Sequence, residues 1–176
     1  IEEKGTWLHT ATMGDPCFMV IRNGKRFYRS TPSYAQFNEP NHFSGSVITF
    51  AMDPSIKHNS VKYGNPPHVL LKGDIIVVGT NGLFDNVWDD EIVEVVNRTI
   101  ENTKVDEETA AAYPLEGMID PEIIAEALVK QATANSTNLE KKSPFAEYAE
   151  KEGYIYIGGR EDDVTAVVSY VVPQKN

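Results

Sequence analysis

The stretch Gly73 to Asp90, GDIIVVGTNGLFDNVWDD, decides the fold. Gly73-Asp74 is a turn signal. The β-branched apolar run Ile75 to Val78 reads as a buried strand. It breaks at Gly79-Thr80-Asn81-Gly82, a run of small and polar residues, and a helix starts at Asp89 or Asp90. Polar groups at the end of a buried strand stand on a rigid base, where chemistry can be placed with precision. The plain alternative is an ordinary strand-turn-helix junction in which Asn81 and Asp85 only hydrogen-bond backbone.

Outward from this stretch the chain reads as strands, then helices, then a closing strand. Trp7 to Thr12 is extended, Gly14-Asp15-Pro16 turns, and Cys17 to Ile21 is a second strand. Asn23-Gly24 is a type I′ hairpin signal, because both central positions of that turn need positive φ. Lys25 to Arg29 is the returning strand, and Val69 to Leu71 pairs with Ile75 to Val78. Asp90 to about Ile100 is an amphipathic helix with Ile92, Val93, Val95, Val96 and Ile100 on one side. Asp120-Pro121 opens another, with Asp as N-cap and Pro at the first helical position. It runs to about Thr133, with Ile123, Ile124, Ala127, Leu128 and Gln131 patterned for one face. Ser143-Pro144 begins a short helix that Gly153 closes. Tyr154 to Ile157 is brief and extended, and Val164 to Val172 is apolar enough for a central strand. This order argues for an α+β layered domain rather than a parallel array of alternating strands and helices.

The chain has 176 residues, 41% of them apolar and 24% charged, with a net charge of −10. That length fits one domain or a large piece of one. The acidic balance, with no basic cluster, disfavours nucleic acid and anionic membranes as partners and suits a cation site. No run approaches a membrane span. A single cysteine, Cys17, excludes an internal disulfide and a thiolate metal cluster, and its apolar neighbours make it a buried thiol. Pro32 to Pro67 is long, polar and turn-rich, and is expected to border a substrate cleft. His42, His58 and His68 match no zinc spacing. Asn97-Arg98-Thr99 and Asn135-Ser136-Thr137 fit the glycosylation pattern by chance.

Three segments together carry a resemblance. GDIIVVGTNGLFDNVWDDEI is similar to the signature of the metal-dependent type 2C (PPM) Ser/Thr protein phosphatases: Gly-Asp, an apolar strand, then Thr/Ser-Asp-Gly-Leu-Phe/Trp-Asp. Gly158-Gly159-Arg160-Glu161-Asp162-Asp163-Val164-Thr165 resembles the family's late Gly-Gly-Lys-x-Asp-Asp-x-Thr, and Met13-Gly14-Asp15 its Leu-Gly-Asp-Ser. All three occur in the family's order, over about Trp7 to Val172. Tyr34 to Phe43 resembles a Phe-Asn-x-Pro segment of a branch often found in mitochondria, so the resemblance implies an intracellular protein and allows a mitochondrial one.

The resemblance implies an antiparallel β-sandwich flanked by helices, of which this chain, 1–176, supplies the C-terminal part of one domain. It implies hydrolysis of phosphoserine and phosphothreonine in proteins by a metal-bound water, with two Mn or Mg ions and a phosphoprotein as substrate. Two dications about 3.5–4 Å apart supply charge neutralisation and a nucleophilic water together, and hard ions want oxygen ligands. Carried over position by position, the metal residues are Asp162, Asn81 and Asp15, with Asp163 behind them. Read without the resemblance, Asp15 is a turn residue and Asp162-Asp163 a polar turn before a strand. Two departures matter. Asn81 stands where the family has a metal-binding Asp, and an amide oxygen can ligate but lacks the charge. The family's early Asp-Gly-x-Gly-Gly segment and phosphate-binding Arg are absent. Either residues before Ile1 supply them, or the protein is a degenerate member that regulates or binds partners. An unrelated acidic α+β binding domain is a third alternative.

Overall fold

A computed structural model describes residues 6–8, 10–41, 62–63, 68–105, 115 and 117–173. The strands among them are β1 (Thr6–Leu8), β2 (Ala11–Thr12), β3 (Cys17–Arg22), β4 (Lys25–Arg29), β5 (Tyr34–Gln36), β6 (Glu39–Pro40), β7 (Lys62–Tyr63), β8 (His68–Leu70), β9 (Ile75–Gly79) and β10 (Ala166–Tyr170). The helices are α1 (Asn81–Phe84), α2 (Asp89–Asn102), α3 (Pro121–Ser136) and α4 (Pro144–Lys151). The main sheet has the order β10-β9-β3-β4, and every pairing is antiparallel. β1 pairs with β8, β2 with β7, and β5 with β6, also antiparallel.

β3 is the hub. Successive side chains of a strand point to opposite faces. Cys17, Met19 and Ile21 face the helices, while Phe18 and Val20 face Leu8 and Leu70 on the other side, so β3 is buried twice over. At Asn23-Gly24 the φ values are 50° and 68°, the left-handed pair a type I′ turn demands. The same end of the β3–β9 pair, beside this turn, is pinned by charge. Arg22 Nε and Nη2 donate to the two oxygens of Asp74 at 2.8 and 2.7 Å, and Nη2 also donates to the Val69 carbonyl. Asp74, 1% exposed, accepts the Leu71 N–H as well, so this turn residue is a buried structural anion.

The helices cover one face of the sheet. Ile92, Val95 and Val96 of α2 and Ile124, Leu128 and Ala132 of α3 join Met19, Val77 and Val168 in one core. The spacing of Ile124, Leu128 and Ala132 is one residue per turn, which keeps all three on the sheet side. Truncating Leu128, fully buried, to Ala would cost about 2–5 kcal/mol through lost burial and the cavity left behind. Asp120 caps α3 by accepting the Glu122 N–H, and Ser143 caps α4 by accepting the Ala146 N–H.

Several elements differ from the reading of the sequence. Trp7 to Thr12 is two short strands with different partners, β8 and β7, so Val69 pairs with Trp7 and not with the Ile75–Val78 run, which lies between β3 and β10. The closing strand is shorter than Val164–Val172 and lies at an edge of the described sheet, with Val167 54% exposed. Its first residues are drawn off by hydrogen bonds to the β9–α1 junction. Ile123 points away from the core, because a helix turns about 100° between it and Ile124. Tyr154 to Ile157 forms no strand, and Ile155 and Ile157 stand exposed. Within the long polar segment, β5 and β6 form a hairpin whose Phe37 stacks on Tyr154 and packs against Phe145 and Tyr148 of α4. The rest of that segment, 42–61 and 64–67, and the side chains of all four histidines lie outside the described residues.

Candidate metal centre

Two loops build the site, one after β9 and one before β10. Thr80 holds them together. Its N–H donates to the Thr165 carbonyl at 3.1 Å. Its hydroxyl donates to the Asp163 carbonyl at 3.0 Å and accepts the Thr165 N–H at 3.0 Å. Gly82 lies flat against this seam, and a Cβ there would overlap the Asp163 carbonyl. Glycine at 82 is therefore required by the closeness of the two backbones and not by its φ.

The zipped loops bring Asn81 and Asp162 together. Asn81 Nδ2 donates to Asp162 Oδ2 at 3.2 Å, and Asn81 Oδ1 accepts the Gly82 N–H at 2.9 Å. Asp162 Oδ1 accepts its neighbour's N–H from Asp163 at 2.8 Å. Arg160 adds a cation. Its Nη1 pairs with Asp85 Oδ2 at 2.6 Å and its Nη2 lies 3.4 Å from Asp162 Oδ2. The guanidinium rests over the Phe145 ring, 4.6 Å from its centre. Asp15 sits on the turn before β3, and its charge is felt at both Asp85 and Tyr34.

Asn86 organises the floor. It is fully buried, and its Nδ2 donates to the carbonyls of Gly82 at 2.9 Å and Arg160 at 2.8 Å. Its Oδ1 accepts the Arg160 N–H at 2.8 Å, and its own carbonyl accepts Asn135 Nδ2 from α3. One amide thus ties the β9 loop, the β10 loop and α3 together. Asn135, in the second sequon, is buried as well as bonded.

Electrostatics follow from this packing. Burial pushes the Asp85 carboxyl up to about 6; Arg160 opposes that shift, while the charges of Asp15 and Asp162 add to it. Burial outweighs the ion pair because the carboxyl loses most of its water and gains one cation. Burial likewise raises the Tyr34 hydroxyl well above its usual range, helped by the nearby Asp85 and Asp15 charges.

The donor set does not by itself make a complete ion cage. Among the described residues, no group of three or more His, Cys, Asp and Glu side chains is placed to hold a metal. Asn81 turns its nitrogen to Asp162, and the oxygens of both residues already accept hydrogen bonds. Of the residues named from the sequence, Asn81 and Asp162 are in direct contact, and Asp15 reaches the cluster through the Asp85 field. Asn86, Thr80 and Arg160 were not singled out, and Asp85 was weighed only as a residue bonding backbone. Asn86 carried a signal: an amide inside Leu83-Phe84-Asp85-Asn86-Val87, buried with its neighbours, must find partners for every polar atom.

The fold of antiparallel sheets carrying helices is shared with a solved protein phosphatase. The chain belongs to the type 2C protein phosphatase family. No protein-family model matches it. It is 30% identical over 178 residues to "Probable protein phosphatase 2C 55" of Arabidopsis thaliana, covering 96% of this chain and 31% of that protein. It is 34% identical over 168 residues to "Probable protein phosphatase 2C BIPP2C1" of Oryza sativa subsp. japonica, covering 95% and 25%. With "Protein phosphatase PTC7 homolog fig" of Drosophila simulans it shares 30% over 178 residues, 97% of this chain and 50% of that protein. The crystal structure described as the photosystem II phosphatase PBCP superposes with a TM-score of 0.67 at 27% identity, over 96% of this chain and 60% of that one. The chain thus spans about a quarter to a half of the length of these curated relatives. Among the described residues no helix is long and apolar enough to cross a membrane.

Proposed function

We propose that this chain is the C-terminal part of one phosphatase domain, and that the whole protein hydrolyses phosphoserine and phosphothreonine esters in phosphoproteins. Asp162, Asn81 and Asp15 stand at its metal-binding end, and Mn or Mg ions are the cofactors this reading calls for. Such ions supply charge neutralisation and an activated water when bound. The chain's own part is positioning. Thr80 and Asn86 lock the two loops, Asp162 presents a carboxylate at their seam, and Arg160 orients Asp85 and Asp162 together. The observation that carries the reading is the hydrogen bond between Asn81 and Asp162, which joins two motif positions 81 residues apart at one sheet end.

The second reading is a phosphatase-like protein that binds or regulates without catalysis. It is favoured by Asn81, whose amide satisfies Asp162 where a second carboxylate would demand a cation. Hydrolysis of a phosphoserine peptide by the full-length protein, with Mn²⁺ and with chelator, separates the two. Chelator-sensitive release of phosphate supports catalysis. No release at any Mn²⁺ concentration, from folded protein, leaves the second reading.

A further inference from the structure

Asp85 and Asp162 converge, yet the described residues form no three-carboxylate cage. What faces them is a guanidinium. Arg160 touches both carboxylates, at 2.6 and 3.4 Å, and its side chain is 21% exposed. Its backbone is clamped on both sides by Asn86, and its plane is held over Phe145. It cannot swing to solvent without leaving Asp85, whose side chain is only 14% exposed, without that cation. A pair held from three directions is preorganised, unlike a mobile surface pair. The Asn81 amide donates to the same Asp162 oxygen that faces Arg160.

We propose that Arg160 is a built-in cation of this site: it supplies to Asp85 and Asp162 the counter-charge a divalent ion would otherwise bring, and so raises the metal concentration the site requires. The charges support it. Asp85, Asp162 and the neighbouring Asp15 contribute three negatives and Arg160 one positive, so an incoming dication meets a site of net charge −2, rather than −3, with a guanidinium beside it. This rests on the reading of Asp162 and Asn81 as metal-facing. Arg160 is a positioning residue here, since it acts through the carboxylates it holds. A merely structural ion pair makes the opposite forecast: its loss lowers stability and loosens any metal bound nearby.

The test is Mn²⁺ titration of the full-length protein, with free ion counted by electron paramagnetic resonance at a pH well above the carboxyl range. Wild type, Arg160→Gln, Arg160→Lys and Asp85→Asn are compared, with thermal melts and phosphopeptide hydrolysis on the same samples. Arg160→Gln lowers the Mn²⁺ midpoint by about tenfold, the scale expected when a unit charge a few ångströms from a dication is removed at a partly exposed site. Arg160→Lys keeps the charge and the wild-type midpoint. Asp85→Asn leaves Arg160 to Asp162 alone and raises the midpoint. A midpoint in Arg160→Gln equal to or above wild type overturns the role of Arg160 while leaving the metal reading standing. No Mn²⁺ binding by any of the four overturns both. If Arg160→Gln does not fold, Asp85→Asn decides, and an unchanged or lower midpoint there overturns the proposal.

Discussion

Asn86→Ala removes the most connected side chain of the site. The wild-type amide makes three side-chain hydrogen bonds between 2.8 and 2.9 Å, to the Gly82 carbonyl and to both backbone groups of Arg160. At 0% exposure it has no bulk water to replace them. A net hydrogen bond is worth about 1 kcal/mol, and a buried group left unpaired costs about 1–3 kcal/mol. Allowing one water to enter the cavity and satisfy part of the set, the loss should be about 3–5 kcal/mol, a large share of the about 5–15 kcal/mol that holds a domain together. Urea unfolding followed by tryptophan fluorescence reads it, since Trp88 is anchored beside the site by its bond to the Lys142 carbonyl. Asn86→Asp keeps the size and the acceptor but points a carboxylate at two carbonyls, and should lose a similar amount. A loss below about 1 kcal/mol in both variants would refute the claim that this amide ties the loops together.

Gly82→Ala forces a methyl into the Asp163 carbonyl, and overpacking of this kind should destabilise by about 1–3 kcal/mol in the same unfolding assay. Ser143→Ala removes the α4 cap and the bond from its hydroxyl to the Gly158 carbonyl at 2.6 Å; a loss of about 1–2 kcal/mol in thermal or urea unfolding is expected. Asp85 makes stability depend on pH. Its folded pKa, about 6, lies above the ordinary 3.8, so its contribution is fully present below 3.8 and is lost as pH rises through 6. Two units correspond to about 3 kcal/mol at most. Asp85→Asn should flatten the stability curve between about pH 4 and 6, and an unchanged slope would show that the carboxyl is not desolvated.

Elements set by local chemistry were legible in the sequence. The Asn23-Gly24 turn, the Asp120-Pro121 and Ser143-Pro144 helix starts, and the Ile75 run all depend on backbone preferences that a few residues determine. The split of β1 from β2 and the edge position of β10 depend on which strands pair at long range, which no local pattern records. The site shows the same division. Motif order pointed to Asn81 and Asp162, and they meet. Arg160 stood only as one position of a motif whose family pattern has Lys; that its fork reaches Asp85 and Asp162 at once became visible only when the loops were folded together. Asp85 read only as a junction residue bonding backbone, because its ion partner Arg160 lies 75 residues away in the chain.

The central claim is that Asn81 stands at a metal-facing position of a phosphatase site. Asn81→Asp tests it most directly, by hydrolysis of a phosphopeptide across a Mn²⁺ titration with the full-length protein. Restoring a negative charge beside Asp162 should lower the Mn²⁺ midpoint and raise the rate at low metal by about tenfold or more, since metal charge neutralisation is worth several kcal/mol in such transition states. An Asn81→Asp protein whose rate and Mn²⁺ midpoint both equal those of wild type would contradict the account.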